Sequence, residues 1–191
     1  MAVAATTRLV QNRGQIARTV FIVVAGVALM TLAAKTEIPF WPVPMTLHTL
    51  AVMAFAVALG PRAAVAIFVS YLVAGAAGLP VFSGTPERGI GLAYMAGPTG
   101  GYLAGYLVAS WLVGTLAAGR AVLGRVGAML IGMVVIYALG VAWLTLYVPA
   151  DKLLAVGVTP FLLADLIKIA VVALGSVFLA GVRKRAADVS R

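Results

Sequence analysis

Asp165 and Lys168 stand inside an otherwise apolar run, TPFLLADLIKIAVVALGSVFLAGV (residues 159–182), long enough to cross a membrane. A charge at the centre of a spanning helix costs roughly 2.5–3.5 kcal/mol on insertion scales. Their spacing of three residues puts both side chains on one helix face. At 1.5 Å per residue they lie roughly 8 and 12 Å along the helix from Pro160. The plain alternative is a bare ion pair, each charge neutralising the other. Neutral residues would avoid the cost altogether, so intramembrane charges point to function. An ammonium suits a carboxylate and a carboxylate suits N–H donors, so the pair fits a small, partly apolar molecule that carries both. A cation pathway would call for several acids, and the other apolar runs have none in their interiors.

Further polar groups are expected at the same level. Thr46 and His48 open the second apolar run, Thr99 opens the fourth, and Arg88 hangs in the loop above. The connections on this side are unusual. KTEIPFWPVPM (35–45) holds three prolines with Phe40 and Trp41; PVFSGTPERGIGLAYMAGP (80–98) mixes glycines with Phe82, Tyr94 and the pair Glu87–Arg88. Prolines fix φ and stiffen the first; glycines let the second approach something closely. Neither reads as a solvated connector, and both read as covers over a cavity. Plainer roles exist for several of these residues: His48 as a helix-start or headgroup residue, Glu87 and Arg88 as a solvated loop pair. Trp143 and Tyr147 read as interfacial belt residues.

The elements that position these residues follow from composition. The chain of 191 residues is 63% hydrophobic and 10% charged, against about 25% charged for soluble domains. There is no cysteine, one histidine and five acidic residues, which excludes disulfides, thiolate chemistry and metal clusters built on cysteine. Apolar segments fall at about 19–34, 46–60, 63–79, 98–118, 126–148 and 160–182. The expected fold is therefore an all-α membrane protein, one domain over 1–191 with six transmembrane helices and both termini on one side. With that side cytoplasmic, ten basic residues lie inside (Arg8, Arg13, Arg18, Arg62, Arg120, Arg125, Arg183, Lys184, Arg185, Arg191) and three outside (Lys35, Arg88, Lys152). The positive-inside rule is obeyed. The net charge of +9 is thus a topology signal, and no nucleic-acid partner is expected. LAAK (32–35) after an apolar run imitates a signal peptide, but cleavage there would leave five spans and set the C-terminal RKR against Arg62 and Arg120. Small residues recur every fourth position at Gly97, Gly101, Gly105 and Ala109, and at Ala66, Ser70, Ala74 and Gly78. Both stripes are expected to be packing seams.

PVPMTLHTLAV (42–52), YLVAGAAGLPVF (71–82), GPTGGYLAGY (97–106) and ADLIK (164–168) together resemble the BioY family, the biotin-specific S-components of energy-coupling factor (ECF) vitamin transporters. The resemblance covers about 130 residues in order, from the first loop to the sixth span. It implies an S-component-like six-helix bundle with cytoplasmic termini and a biotin pocket closed by the outer loops. By position in ADLIK, Asp165 would bind the ureido ring and Lys168 the valerate carboxylate. The motifs, with Ser83 directly after YLVAGAAGLPVF, add Tyr71, Phe82, Ser83, Thr99 and Gly100 to Thr46, His48, Phe40, Trp41 and Arg88 as expected binding residues. The chain departs at His48, where many members carry glutamine, and at TPERG (85–89), where they are rich in glycine.

The resemblance also implies partners, a transmembrane T-component and cytoplasmic ATPases, in the inner membrane of a bacterium or archaeon. No lysine here follows glycine, so a Walker A loop is not expected in this chain. T-component contact in S-components runs through Ala-x-x-x-Ala in the first helix; Ala25, Gly26 and Ala28 lack that spacing. No cofactor is expected, biotin being the transported ligand. Two other classes are a solitary biotin carrier, which would need no ATPase, and a membrane enzyme, for which one histidine offers little.

Overall fold

In lipid an uninterrupted apolar chain satisfies its backbone groups only as helix or closed barrel. The computed structural model, which describes residues 2–39 and 41–189 and the side chains of 14–39, 41–179 and 181–182, is helical. The long elements are α1 (Ala2–Lys35), α2 (His48–Leu59), α3 (Pro61–Ala76), α5 (Gly100–Ala117), α6 (Val122–Leu144) and α8 (Thr159–Val189), with short helices α4 (Leu92–Met95) and α7 (Leu153–Gly157) between them. Helices thus fall on all six expected segments. Four stretches are long and apolar enough to span: Gly14–Lys35, Gly100–Ala117, Val122–Leu144 and Ala150–Leu179. The others are shorter. At 1.5 Å per residue, α2 reaches about 18 Å and α3 about 24 Å, less than a hydrocarbon core of about 30 Å.

A two-residue corner explains that break. Gly60 has φ +81°, outside the helical region, and Pro61 begins α3, where its missing N–H costs nothing. Gly114 of α5 lies under the corner, where a Cβ would come within 2.6 Å of the Pro61 nitrogen. The most extensive helix contact is α5 with α6. It is made by the stripe expected on α5: a Cβ on Gly105 would sit 2.8 Å from Ile136 Cα, and one on Gly101 2.5 Å from the Leu139 carbonyl. The stripe proposed for α3 is offset. Ala66, Ser70, Ala74 and Gly78 are only half-buried, and the packed face is Ala64, Ile67, Phe68, Tyr71 and Gly75. Large side chains, not the small ones, define the buried side of α3. Gly26 of α1 packs on one of them, Ile67.

The two loops expected as covers are joined to each other. In the first, β1 (Glu37–Ile38) pairs antiparallel with β2 (Met45–Thr46), Glu37 opposite Thr46. Lys35 Nζ donates to the Thr85 hydroxyl at 2.7 Å and carbonyl at 3.1 Å. The Ser83 hydroxyl donates to the Glu37 carboxylate, and Arg88 Nη1 donates to the Pro42 carbonyl at 3.4 Å. Both loops therefore form one cap over the same end of the bundle. Of the basic residues used to orient the chain, Arg191 lies outside the described residues, as do the side chains of Arg8, Arg13, Arg183, Lys184 and Arg185.

Candidate functional site

Helical spacing puts Phe161, Asp165, Ile169, Val172 and Ser176 on the buried side of α8, while Leu163, Ile167, Leu174 and Phe178 are exposed. Asp165 is thus carried into the bundle with Lys168 beside it, their side chains 6% and 14% exposed. Lys168 Nζ lies 2.7 Å from Asp165 Oδ1 and donates to the Thr46 carbonyl, also at 2.7 Å. The other carboxylate oxygen accepts from the Tyr137 hydroxyl of α6 at 2.7 Å. The ion pair exists, but it is embedded in a network. An ammonium has three donors and a carboxylate about four acceptor positions. Among the described residues Lys168 uses two donors and Asp165 two acceptor positions. Both charges therefore retain hydrogen-bonding capacity for a further group.

That capacity faces a cavity lined by Val43, Pro44 and Thr46 of the first loop, Thr49 of α2, Tyr102 and Tyr106 of α5, Tyr137 of α6, and Phe161, Asp165 and Lys168 of α8. Its volume is about 20 Å³. One water needs roughly 10–15 Å³ on this measure, so a vitamin-sized molecule requires the walls to part. Val43, Pro44 and Thr46 are the loop residues among those walls. The Tyr102 hydroxyl is anchored on the Gly157 carbonyl at 2.7 Å, and Thr49 Oγ1 lies 3.4 Å from the Tyr106 hydroxyl.

The expected residues divide into groups. Thr46, Asp165 and Lys168 meet at the cavity. His48, Tyr71 and Phe82 are buried but do not line it. They belong to an aromatic cluster in which Tyr71 meets Phe82 edge-on at 5.4 Å and Phe82 stacks on Tyr94 at 4.7 Å. Gly75 is the bed of Phe82: a Cβ there would fall 2.0 Å from the ring. Ser83 is fully buried at the cluster's edge, tied to Glu37. The Tyr94 hydroxyl is buried with Ser83 and Thr99 beside it. Burial pushes its phenol above the ordinary tyrosine range.

Thr99 and Gly100 open α5 next to a rim that Trp143 and Tyr147 hold in place. Trp143 Nε1 donates to the Gly97 carbonyl at 3.0 Å, the Tyr147 hydroxyl donates to the Ala96 carbonyl, and a Cβ on Gly100 would meet Trp143 Nε1 at 3.1 Å. These two aromatics therefore pin the 96–97 turn as well as facing the exterior. Arg88 ties the second loop to the first and does not reach the cavity lining. Trp41 is 75% exposed, and Phe40 lies outside the described residues. Sequence reasoning missed Tyr137, Tyr102, Tyr106 and Thr49. A tyrosine within an apolar helix was the available signal, since a buried hydroxyl seeks a partner.

The backbone as a whole has a solved counterpart. It superposes on the crystal structure of the S-component for biotin from an ECF-type ABC transporter with TM-score 0.75, over 88% of this chain and 93% of that one, at 23% identity. That likeness defines the S-component fold. Sequence goes further: the BioY family profile matches residues 4–185. A probable biotin transporter BioY of Pyrococcus horikoshii is 35% identical over 154 residues, 81% of this chain and 91% of the relative. The biotin transporter BioY of Thermotoga maritima is 38% identical over 157 residues, 80% and 91% respectively. The chain belongs to the BioY family.

Proposed function

We propose that this protein is the biotin-binding S-component of an ECF-type transporter. The observation that carries the reading is the buried Asp165–Lys168 pair, held by Thr46 and Tyr137 yet with hydrogen-bonding capacity left at a cavity. Family membership and relatives named as biotin transporters support the choice of ligand. Lys168 takes the valerate carboxylate, Asp165 accepts from a ureido N–H, and the tyrosines with Phe161 pack the apolar part of the ligand. The loops carrying Phe40, Trp41, Phe82, Ser83 and Arg88 close over it. The protein is multi-pass in a bacterial or archaeal inner membrane, crosses six times and keeps both termini in the cytoplasm. It needs no cofactor and has no ATPase site or enzymatic activity; a T-component and cytoplasmic ATPases supply the energy.

Equilibrium binding of labelled biotin to detergent-purified protein tests the ligand: saturable high-affinity binding without partners is expected, and none would end the proposal. Uptake at nanomolar biotin should disappear when every ECF-type ATPase of the host is deleted; uptake that survives would favour a solitary carrier. Topology is read with single cysteines, which the chain otherwise lacks. Glu87→Cys and Ala150→Cys, both exposed, should react with a membrane-impermeant thiol reagent from outside, and exposed Ala121→Cys should not.

A further inference from the structure

His48 is 3% exposed and does not line the cavity, yet both ring nitrogens are engaged. Nδ1 lies 2.9 Å from Thr46 Oγ1 and Nε2 lies 2.9 Å from the Tyr71 hydroxyl. The donor order follows from the ends of this chain of contacts. Tyr71 donates to the Val81 carbonyl at 3.3 Å, so its oxygen accepts from His48 and the ring hydrogen sits on Nε2. Nδ1 then accepts, and the Thr46 hydroxyl supplies that hydrogen while its oxygen receives the His48 backbone N–H at 3.3 Å. On its other side the Thr46 carbonyl accepts from Lys168. A directed chain therefore runs from the Thr46 hydroxyl through His48 and Tyr71 to Val81, and Thr46 itself joins it covalently to the carbonyl that receives Lys168. Together these links connect α8 with both loops of the cap. Tyr106, which does line the cavity, stacks on the His48 ring at 5.4 Å.

We propose that His48 is a positioning residue, not a ligand contact: it seats the Thr46 carbonyl on Lys168 and, through Tyr71, holds the second loop closed over the occupied site. The proposal rests on the biotin-binding reading above. Two neighbouring links predict two separable effects. The Thr46 link sets affinity, because it places the group that orients Lys168. The Tyr71 link sets closure, because it ends on the backbone of the second loop.

Two readouts on the purified full chain test this: biotin affinity with its dissociation rate, and alkylation of Val81→Cys, a buried position whose backbone carbonyl the substitution keeps. His48→Leu should weaken biotin binding about tenfold, mostly through faster dissociation. It should also speed alkylation of Val81→Cys and abolish protection by saturating biotin. Thr46→Val should reproduce the affinity loss and Tyr71→Phe the loss of protection, each adding little in the His48→Leu background. His48→Asn retains an acceptor near Thr46 but reaches less far toward Tyr71, so it should recover affinity and not protection. That split also serves if His48→Leu fails to fold. Losses that add across the three positions would overturn the proposal, as would a lowered melting temperature with parental affinity and protection. A parent protein that binds no biotin would defeat the biotin reading alone. Ligand-free alkylation would still decide: faster in the variants supports the relay, unchanged rates overturn it.

Discussion

The cavity around Asp165 and Lys168 and the aromatic cluster around Tyr71, Phe82 and Tyr94 lie at the same end of the bundle but are built on opposite principles. Around the ion pair, buried charges keep donors and acceptors in reserve beside a small open volume. Around Phe82, rings fill the space to the point that Gly75 cannot gain a methyl group without a collision. Polar groups in reserve can exchange partners; close-packed rings cannot rearrange without losing contacts. The first region is suited to affinity and the second to stability. They adjoin at the capped end of the bundle, so substitutions can separate the two roles.

The largest effect is expected in the cluster. Phe82→Ala removes a fully buried ring and should cost about 3–5 kcal/mol of stability, and Gly75→Val should be worse because of its 2.0 Å approach to that ring. Thermal unfolding in detergent, with and without biotin, measures it. If Phe82→Ala melts like the parent, the rings around Phe82 do not carry the stability of this end of the bundle.

The ion pair comes next, and its readout is binding. Hydrogen bonds to charged groups contribute about 1.5–3 kcal/mol, so Lys168→Ala or Asp165→Asn should weaken biotin binding roughly ten- to a hundredfold. The two differ in kind. Lys168→Ala should nearly erase the preference for biotin over biotinamide, whereas Asp165→Asn should weaken both ligands alike. A double variant, Asp165→Ala with Lys168→Ala, that binds near the parental level would reduce the pair to a structural one.

Tyr137→Phe tests the same ion-pair region. It deletes one hydrogen bond to Asp165 and keeps the ring, so affinity should fall roughly three- to tenfold. Titration with labelled biotin resolves a change of that size. The smallest effect is expected at the rim. Trp143→Phe loses one half-exposed hydrogen bond to Gly97, about 0.5–1 kcal/mol in a melting experiment, with biotin affinity unchanged.

Legibility from sequence follows the range of the forces involved. Asp165 and Lys168 were legible because a charge in an apolar run is costly and a spacing of three is local geometry. Thr46 was legible by its level at the start of an apolar run, although it is its carbonyl that receives Lys168. The α5 seam could be read from its glycines, yet the same rule misplaced the seam on α3, where Ile67, Phe68 and Tyr71 fill the buried face. Tyr137 was not legible, since its role depends on α6 lying across from α8. Loop residues were the hardest. Phe82, Ser83 and Arg88 were expected at the site, but no periodicity fixes a loop's path, and they pack or bind within the cap.

The two faces of α8 have a mechanical consequence. One face carries Asp165 and Lys168, and the other carries Leu163, Ile167, Leu174 and Phe178 outward. Turning the helix by one residue position, about 100°, would swing the charged face toward the bilayer. The pair would turn as a unit, lose its hydrogen bonds to Thr46 and Tyr137, and face hydrocarbon, which is costly for charged groups. Each increment of about 1.4 kcal/mol in that cost is a tenfold bias against the turned state. The azimuth of α8 is therefore keyed. Any transport step that moves this helix can tilt or slide it, but spinning it about its own axis is opposed by its buried charged pair.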